Sequence, residues 1–170
     1  MAGRLSARTK ILAGVAIVVA VVAGFHRAGL AHLRSAESQY MAGRALTACA
    51  SRQLRPFADE ARPIDELPEA VLEIVTEARD EARRTLASAG DAGAVPYPGV
   101  RRAAVAVREA LEAEVALYDA MVDDPTNSDD ELEALGAANR AAESRLATAR
   151  RFLFVGEAPG WDDRNRCPSR

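Results

Sequence analysis

Fifteen consecutive residues without a polar side chain, ILAGVAIVVAVVAGF at positions 11–25, constrain this chain more than any other feature in it. Lys10 stands before the run and His26 and Arg27 follow it. A helix needs roughly 20 residues to cross about 30 Å of hydrocarbon, so the run alone falls short, and the long stems of Lys10 and Arg27 make up the difference by reaching to the interface. The run has no polar face, which argues against a buried core helix. The remaining competitor is a cleaved signal peptide, whose basic and apolar regions are both present. No Ala-x-Ala follows the run at the usual place, however, and residues 26–54 contain no proline, so a helix can continue straight out of the membrane. The expectation is a basic segment at 1–10 and an uncleaved anchor at 11–26.

Charge agrees with membrane attachment. The first 36 residues hold no acid and carry Arg4, Arg8, Lys10, Arg27 and Arg34, while the whole chain has a net charge of −3. Anionic headgroups attract basic residues beside a span. Three basic residues precede the run against Arg27 and Arg34 after it, a narrow margin for the N-terminus inside and the body outside. In the body, arginines alternate with acids and no Arg cluster is interleaved with aromatics, so nucleic acid is not an expected partner. With 37 alanines and 5% aromatic residues, the composition is that of closely packed helices.

Four helical stripes are legible after the lipid. Leu30, Leu33, Tyr40, Met41 and Leu46 recur at helical spacing, so the anchor and the first bundle helix form one continuous element. Pro56 and Pro63 end it, and Pro68 can open the next helix. There Leu67, Val71, Ile74 or Val75, Ala78, Ala82 and Leu86 form a stripe that stops near Ser88. Residues 90–99, GDAGAVPYPG, are a loop. Val100, Ala104, Val107, Leu111, Val115, Tyr118 and Val122 make the third seam, closed by Asp123, Asp124 and Pro125. Ser128 and Glu131 have capping-box spacing for a fourth helix, with Leu132, Leu135, Ala142, Leu146, Ala149 and Leu153 inward and Gly156 as its stop. The fold class is therefore all-α: an N-terminal transmembrane helix continuing into an antiparallel four-helix bundle over residues 27–155, with a polar tail at 156–170.

The segment Leu72-Glu73-Ile74-Val75-Thr76-Glu77-Ala78-Arg79 resembles the LEAVTEAR stretch of the LemA family, bacterial proteins with one N-terminal transmembrane helix and a helical bundle. In the same order, Leu30, Leu33 and Arg34 match an L-x-x-L-R pattern. Arg52-Gln53-Leu54-Arg55-Pro56-Phe57 falls where that family has RHDLIPNL, and residues 143–152, ESRLATARRF, resemble ENRIAAARRFYN. Departures are Arg55 for Ile, Phe57 for the Asn after proline, Leu153-Phe154 for Tyr-Asn, and Tyr40-Met41 near the usual Trp, which make it a divergent relative. The resemblance implies a bacterial single-pass membrane protein and hands over no catalytic residue.

Little else in the chain carries chemistry. His26 and His32 are six apart and read as interfacial polar residues, not metal ligands. Glu73, Glu77 and Glu81 at spacing four resemble di-metal carboxylates, but the partnering Glu-x-x-His is absent and a solvated acidic face is the better account. Gly90, Gly93 and Gly99 lack the Gly-Lys-Ser/Thr of a phosphate loop, and the serines and threonines near acids lack a histidine partner for a triad. No catalytic, cofactor-binding or metal residue is expected, and no enzyme. Cys49 and Cys167 are an even pair that can bridge helix one to the tail if helix four runs back toward the end of helix one, or remain two free thiols. Trp161 is either a docking aromatic or folds back on the bundle, and Phe152 and Phe154 are further candidates for docking a partner.

Function follows as an expectation only: a non-enzymatic scaffold, adaptor or accessory subunit held in the bacterial cell envelope, contacting the lipid bilayer through its first helix and another membrane or envelope protein through a helix face or the tail. The alternative is a small-molecule-binding or sensory module at the membrane, disfavoured by close alanine packing.

Overall fold

A computed structural model describes residues 7–58, 69–124 and 128–156. Four α-helices make up nearly all of it: α1 (Ala7–Ala58), α2 (Glu69–Ser88), α3 (Pro98–Asp123) and α4 (Asp129–Phe152), with a single 3-10 turn (Ala92–Ala94) between α2 and α3. α1 is one helix of 52 residues, about 78 Å long at 1.5 Å per residue. Its first part stands alone: Val15, Ile17, Val18, Val19, Val21, Val22 and Phe25 are all at least half exposed. Among the described residues it is the one helix long and apolar enough to cross a membrane. From Gly29 on, its inner face is covered by the other three helices, with Leu33, Ala36, Tyr40, Cys49 and Ala50 buried.

The bundle runs up, down, up, down. α1 and α4 are antiparallel, since Tyr40 meets Glu143 while His26 meets Leu153. α1 and α3 run parallel across the diagonal, with Tyr97 beside Phe25 and Glu114 beside Thr47. α2 opposes α3 through Arg83 and Asp119 at one level and Gly90 and Arg108 at another. α3 touches all three other helices. Its buried arc is accordingly wider than the single expected seam: Ala103, Ala106, Ala110, Glu114 and Leu117 are buried beside Val100, Val107, Leu111 and Tyr118, while Ala104, Val115 and Val122 lie at the edge.

Two apolar clusters form the interior. The larger joins Leu33, Ala36 and Tyr40 to Val100, Val107 and Leu111 of α3 and Leu146 and Ala149 of α4. The smaller joins Ala50, Val75, Ala78, Ala82 and Tyr118 farther from the anchor. Alanine is the commonest residue in both, which lets the helix axes approach closely.

Several expectations need correction. Pro56 does not end α1; it sits in the last turn, and the helix runs on to Ala58, since a proline this near the end removes one hydrogen bond and breaks nothing beyond it. Met41 and Leu132 are exposed, not inward, and Leu72, beside the α2 stripe, is exposed as well. At 100° per residue each lies roughly 60–120° round from the centre of its helix's buried stripe, too far for a neighbouring helix to reach. Ser128 is the N-cap of α4 but makes no side-chain capping bond. Gly156 does not stop α4 either. Phe154 turns the chain with φ +52°, Val155 N–H donates to Arg150 O and Phe154 N–H to Arg151 O, the bonding pattern normally built on glycine. Finally, α4 ends beside Gly29, where its Leu153 would lie 3.1 Å from a Cβ, so it does not run back toward the end of α1 and Cys49.

Candidate functional site

Two places in the bundle hold groups whose arrangement goes beyond packing. The first is the collar where α1 leaves the apolar run. Phe25 meets Tyr97 edge to face with ring centroids 5.9 Å apart, and His32 lies 6.2 Å from the same ring. His26 Nε2 is 2.9 Å from the carbonyl oxygen of Leu153. Tyr97 is placed by Pro98 in the first turn of α3, and Leu153 by the close approach that Gly29 permits. Each histidine thus meets a partner from another segment. Phe152 packs its ring edge 3.7 Å from where a Cβ of Gly99 would stand, yet remains 60% exposed, and Phe154 is 94% exposed.

Above the collar, Arg150 reaches from α4 to Glu37 of α1 through two bonds, Nε to Oε1 and Nη2 to Oε2, and its Nη1 also donates to Gly156 O. Tyr40 donates its hydroxyl to Glu143 at 2.8 Å. These contacts lock α4 to α1 where few apolar side chains join them.

The second place lies at the level between the two apolar clusters. Glu114 is the one buried charged residue among the described ones, 2% exposed. Thr47 donates to its Oε1 at 2.6 Å, and Arg44 lies near enough to act on its charge. Burial pushes the carboxyl up from 4.5 to about 7, with the Thr47 bond and the Arg44 charge pulling the other way. Burial, and next the Glu114 carboxyl, raise the Tyr118 phenol as well. Sequence reading passed over Glu114, although the signal is there: it stands at the 107, 111, 114, 118 register of an apolar seam, where an acid is out of place.

Cys49 is buried and disulfide-bonded. Cys167, the chain's other cysteine, and Trp161 lie outside the described residues. From the level of Gly29 to that of Cys49 is about 30 Å of helix, and the fourteen residues from Leu153 to Cys167 span at most about 50 Å when extended, so a link between the two cysteines is within reach. Glu73, Glu77 and Asp80 line an open surface groove on α2 with Leu72 and Thr76, and no cluster of three or more metal-ligating side chains occurs among the described residues.

Fold and collar together define an all-α bundle carried on one long, partly bare helix. Comparison with family models, with curated proteins and with solved structures finds no match.

Proposed function

We propose that this chain is a non-enzymatic, membrane-anchored helical bundle that serves as a scaffold, adaptor or accessory subunit at the bacterial cell envelope. The observation that carries the reading is the change of character along α1. The same unbroken helix is bare and apolar from Gly14 to Phe25 and packed against three others from Gly29 onward. A bare apolar helix in water is unfavourable at about 25 cal/mol per Å², so lipid is the natural solvent for it. The helix then passes its fixed position directly to the bundle, which is what presentation of a binding face at a membrane requires.

Three further points support the reading. The bonded Cys49 is at home in an oxidising compartment, which agrees with an N-terminus inside and a bundle outside the cytoplasm. The similarity to LemA segments falls on residues that pack here, Leu33, Val75, Leu146 and Ala149, and on Arg150 and Glu143, which tie α4 to α1. The far end of the bundle exposes Glu69, Asp123, Asp124, Asp129 and Asp130 around Arg52 and Arg55, a net acidic surface that a basic protein face would complement.

Fractionation followed by purification in mild detergent tests it. The full chain is expected in the membrane fraction, released by detergent and not by salt or carbonate, together with a stoichiometric protein. Release without detergent removes the anchor, and a stoichiometric small molecule in place of a protein favours the sensory alternative.

A further inference from the structure

The collar has a composition that the anchor alone does not require. In three described segments that meet there, residues 25–34, 94–103 and 150–156, every residue of fixed charge is arginine: Arg27, Arg34, Arg101, Arg102, Arg150 and Arg151; the acids beside them are Asp91, which lines a hollow with His32, and Glu37, which is paired with Arg150. The opposite end of the bundle carries Asp123, Asp124, Asp129, Asp130 and Glu69, with Arg52 and Arg55 set among them. The bundle is therefore charged lengthwise, positive toward the anchor and largely negative away from it.

The exposed phenylalanines, Phe25, Phe152 and Phe154, all stand at the anchor end. Phe25 closes the apolar run, its neighbour His26 bonds the carbonyl of Leu153, and Phe152 and Phe154 flank that residue. Both phenylalanines thus stand within a few residues of the level at which the run ends, and both face solvent. Phe154 does so in a left-handed backbone that glycine would adopt without cost. A large apolar side chain kept exposed at a strained position points to a use for it.

We propose that this end of the bundle is a second lipid-binding element: Phe152 and Phe154 enter the interfacial region of the bilayer while Arg27, Arg102 and Arg151 engage anionic headgroups around the anchor. Continuity identifies the occupant, because any bilayer that takes up the run ending at Phe25 has its surface at the collar, and so does charge, since the exposed Arg27, Arg102 and Arg151 outnumber the acids there and complement an anionic surface. Aromatic rings at the headgroup level and arginines beside them are how membrane proteins fix tilt and depth, so the bundle is held at a set angle to the membrane and does not swing on α1.

The inference rests on the anchor reading, and one experiment separates the two. Full-length chains carrying Trp161→Phe and a single new tryptophan, V18W, F154W or L132W, are reconstituted in vesicles containing phosphatidylglycerol, and quenching is measured with lipids brominated deep in the acyl chain for V18W and near its headgroup end for F154W, with L132W measured against both. V18W and F154W are expected to be quenched several-fold more than L132W, which sits on the exposed start of α4 at the far end. Adding R102E and R151E, both on exposed side chains, is expected to return F154W to the level of L132W while V18W stays quenched. If V18W is quenched and F154W no more than L132W, the second lipid contact is overturned and the anchor stands. If V18W is not quenched, the anchor reading fails and this one with it. If F154W is quenched equally in vesicles of phosphatidylcholine alone, the arginine part is overturned.

Discussion

A methyl group placed on Gly43 would lie 2.7 Å from Glu114 Oε2 and 2.8 Å from Leu111 Cδ2, so α1 and α3 approach here to a distance that only the missing side chain allows. Gly43→Ala therefore sets a helix-propensity gain of up to ~1 kcal/mol against overpacking of about 1–3 kcal/mol. A net loss of stability is expected. Gly136→Ala in α4 is the control, because its new methyl meets only the end of the Arg140 side chain at 3.5 Å. It should gain about 0.5–1 kcal/mol. Thermal unfolding in detergent compares the two, and equal gains would mean that the helices do not approach as described.

Glu114 makes stability depend on pH with a definite sign. Its carboxyl titrates at about 7 in the folded chain against 4.5 ordinarily, so between these values the folded state holds a proton that the unfolded state has released. Stability should fall as pH rises through this window and level off above it, by a total on the order of 3 kcal/mol. Glu114→Gln keeps an acceptor for Thr47 and cannot ionise. Denaturant midpoints from pH 4.5 to 7.5 should slope downward for the parent and lose that component in the variant; parallel curves would exclude Glu114 as the source.

The Arg150–Glu37 pair is a lock and not a surface decoration. Its side chains are 11% and 14% exposed, against 70% and 48% for Arg84 and Glu81 on α2. A double-mutant cycle with Arg150→Met and Glu37→Gln should give a coupling of about 1–3 kcal/mol, and the same cycle on Arg84 and Glu81 no more than ~0.5 kcal/mol. A coupling at Arg150 as small as the control would show that α4 is held by its apolar stripe alone.

Cys49 gives a redox prediction. Purified without reductant, the chain should expose no thiol to a maleimide under denaturing conditions. A bond between Cys49 and Cys167 joins residues 118 apart in sequence, a loop whose closure is worth up to about 5 kcal/mol in the chain-entropy model. Reduction, or Cys167→Ser, should then lower the melting temperature by an equal amount. Two labelled thiols in the unreduced chain would remove the bond.

How much of this could be read in the sequence depends on the kind of force involved. Periodicity found all four helices, because burial of Val75, Ala78 and Ala82 or of Leu146 and Ala149 repeats at the helical period whatever they pack against. The apolar run at 11–25 and the continuity of α1 were legible as well, one set by composition and the other by the lack of a breaker. What periodicity could not supply was which helix lies against which. That α3 is central, so that Glu114 is enclosed and its carboxyl driven up, follows from three neighbours converging on one seam. Equally, α4 ends at the anchor side and not near Cys49, which brings Phe154, Arg151 and His26 together from positions over a hundred residues apart. Local sequence determines which face of each helix avoids water; only tertiary packing decides which faces meet, because that choice is made by close approach at positions such as Gly29 and Gly43 whose effect depends on the opposite helix.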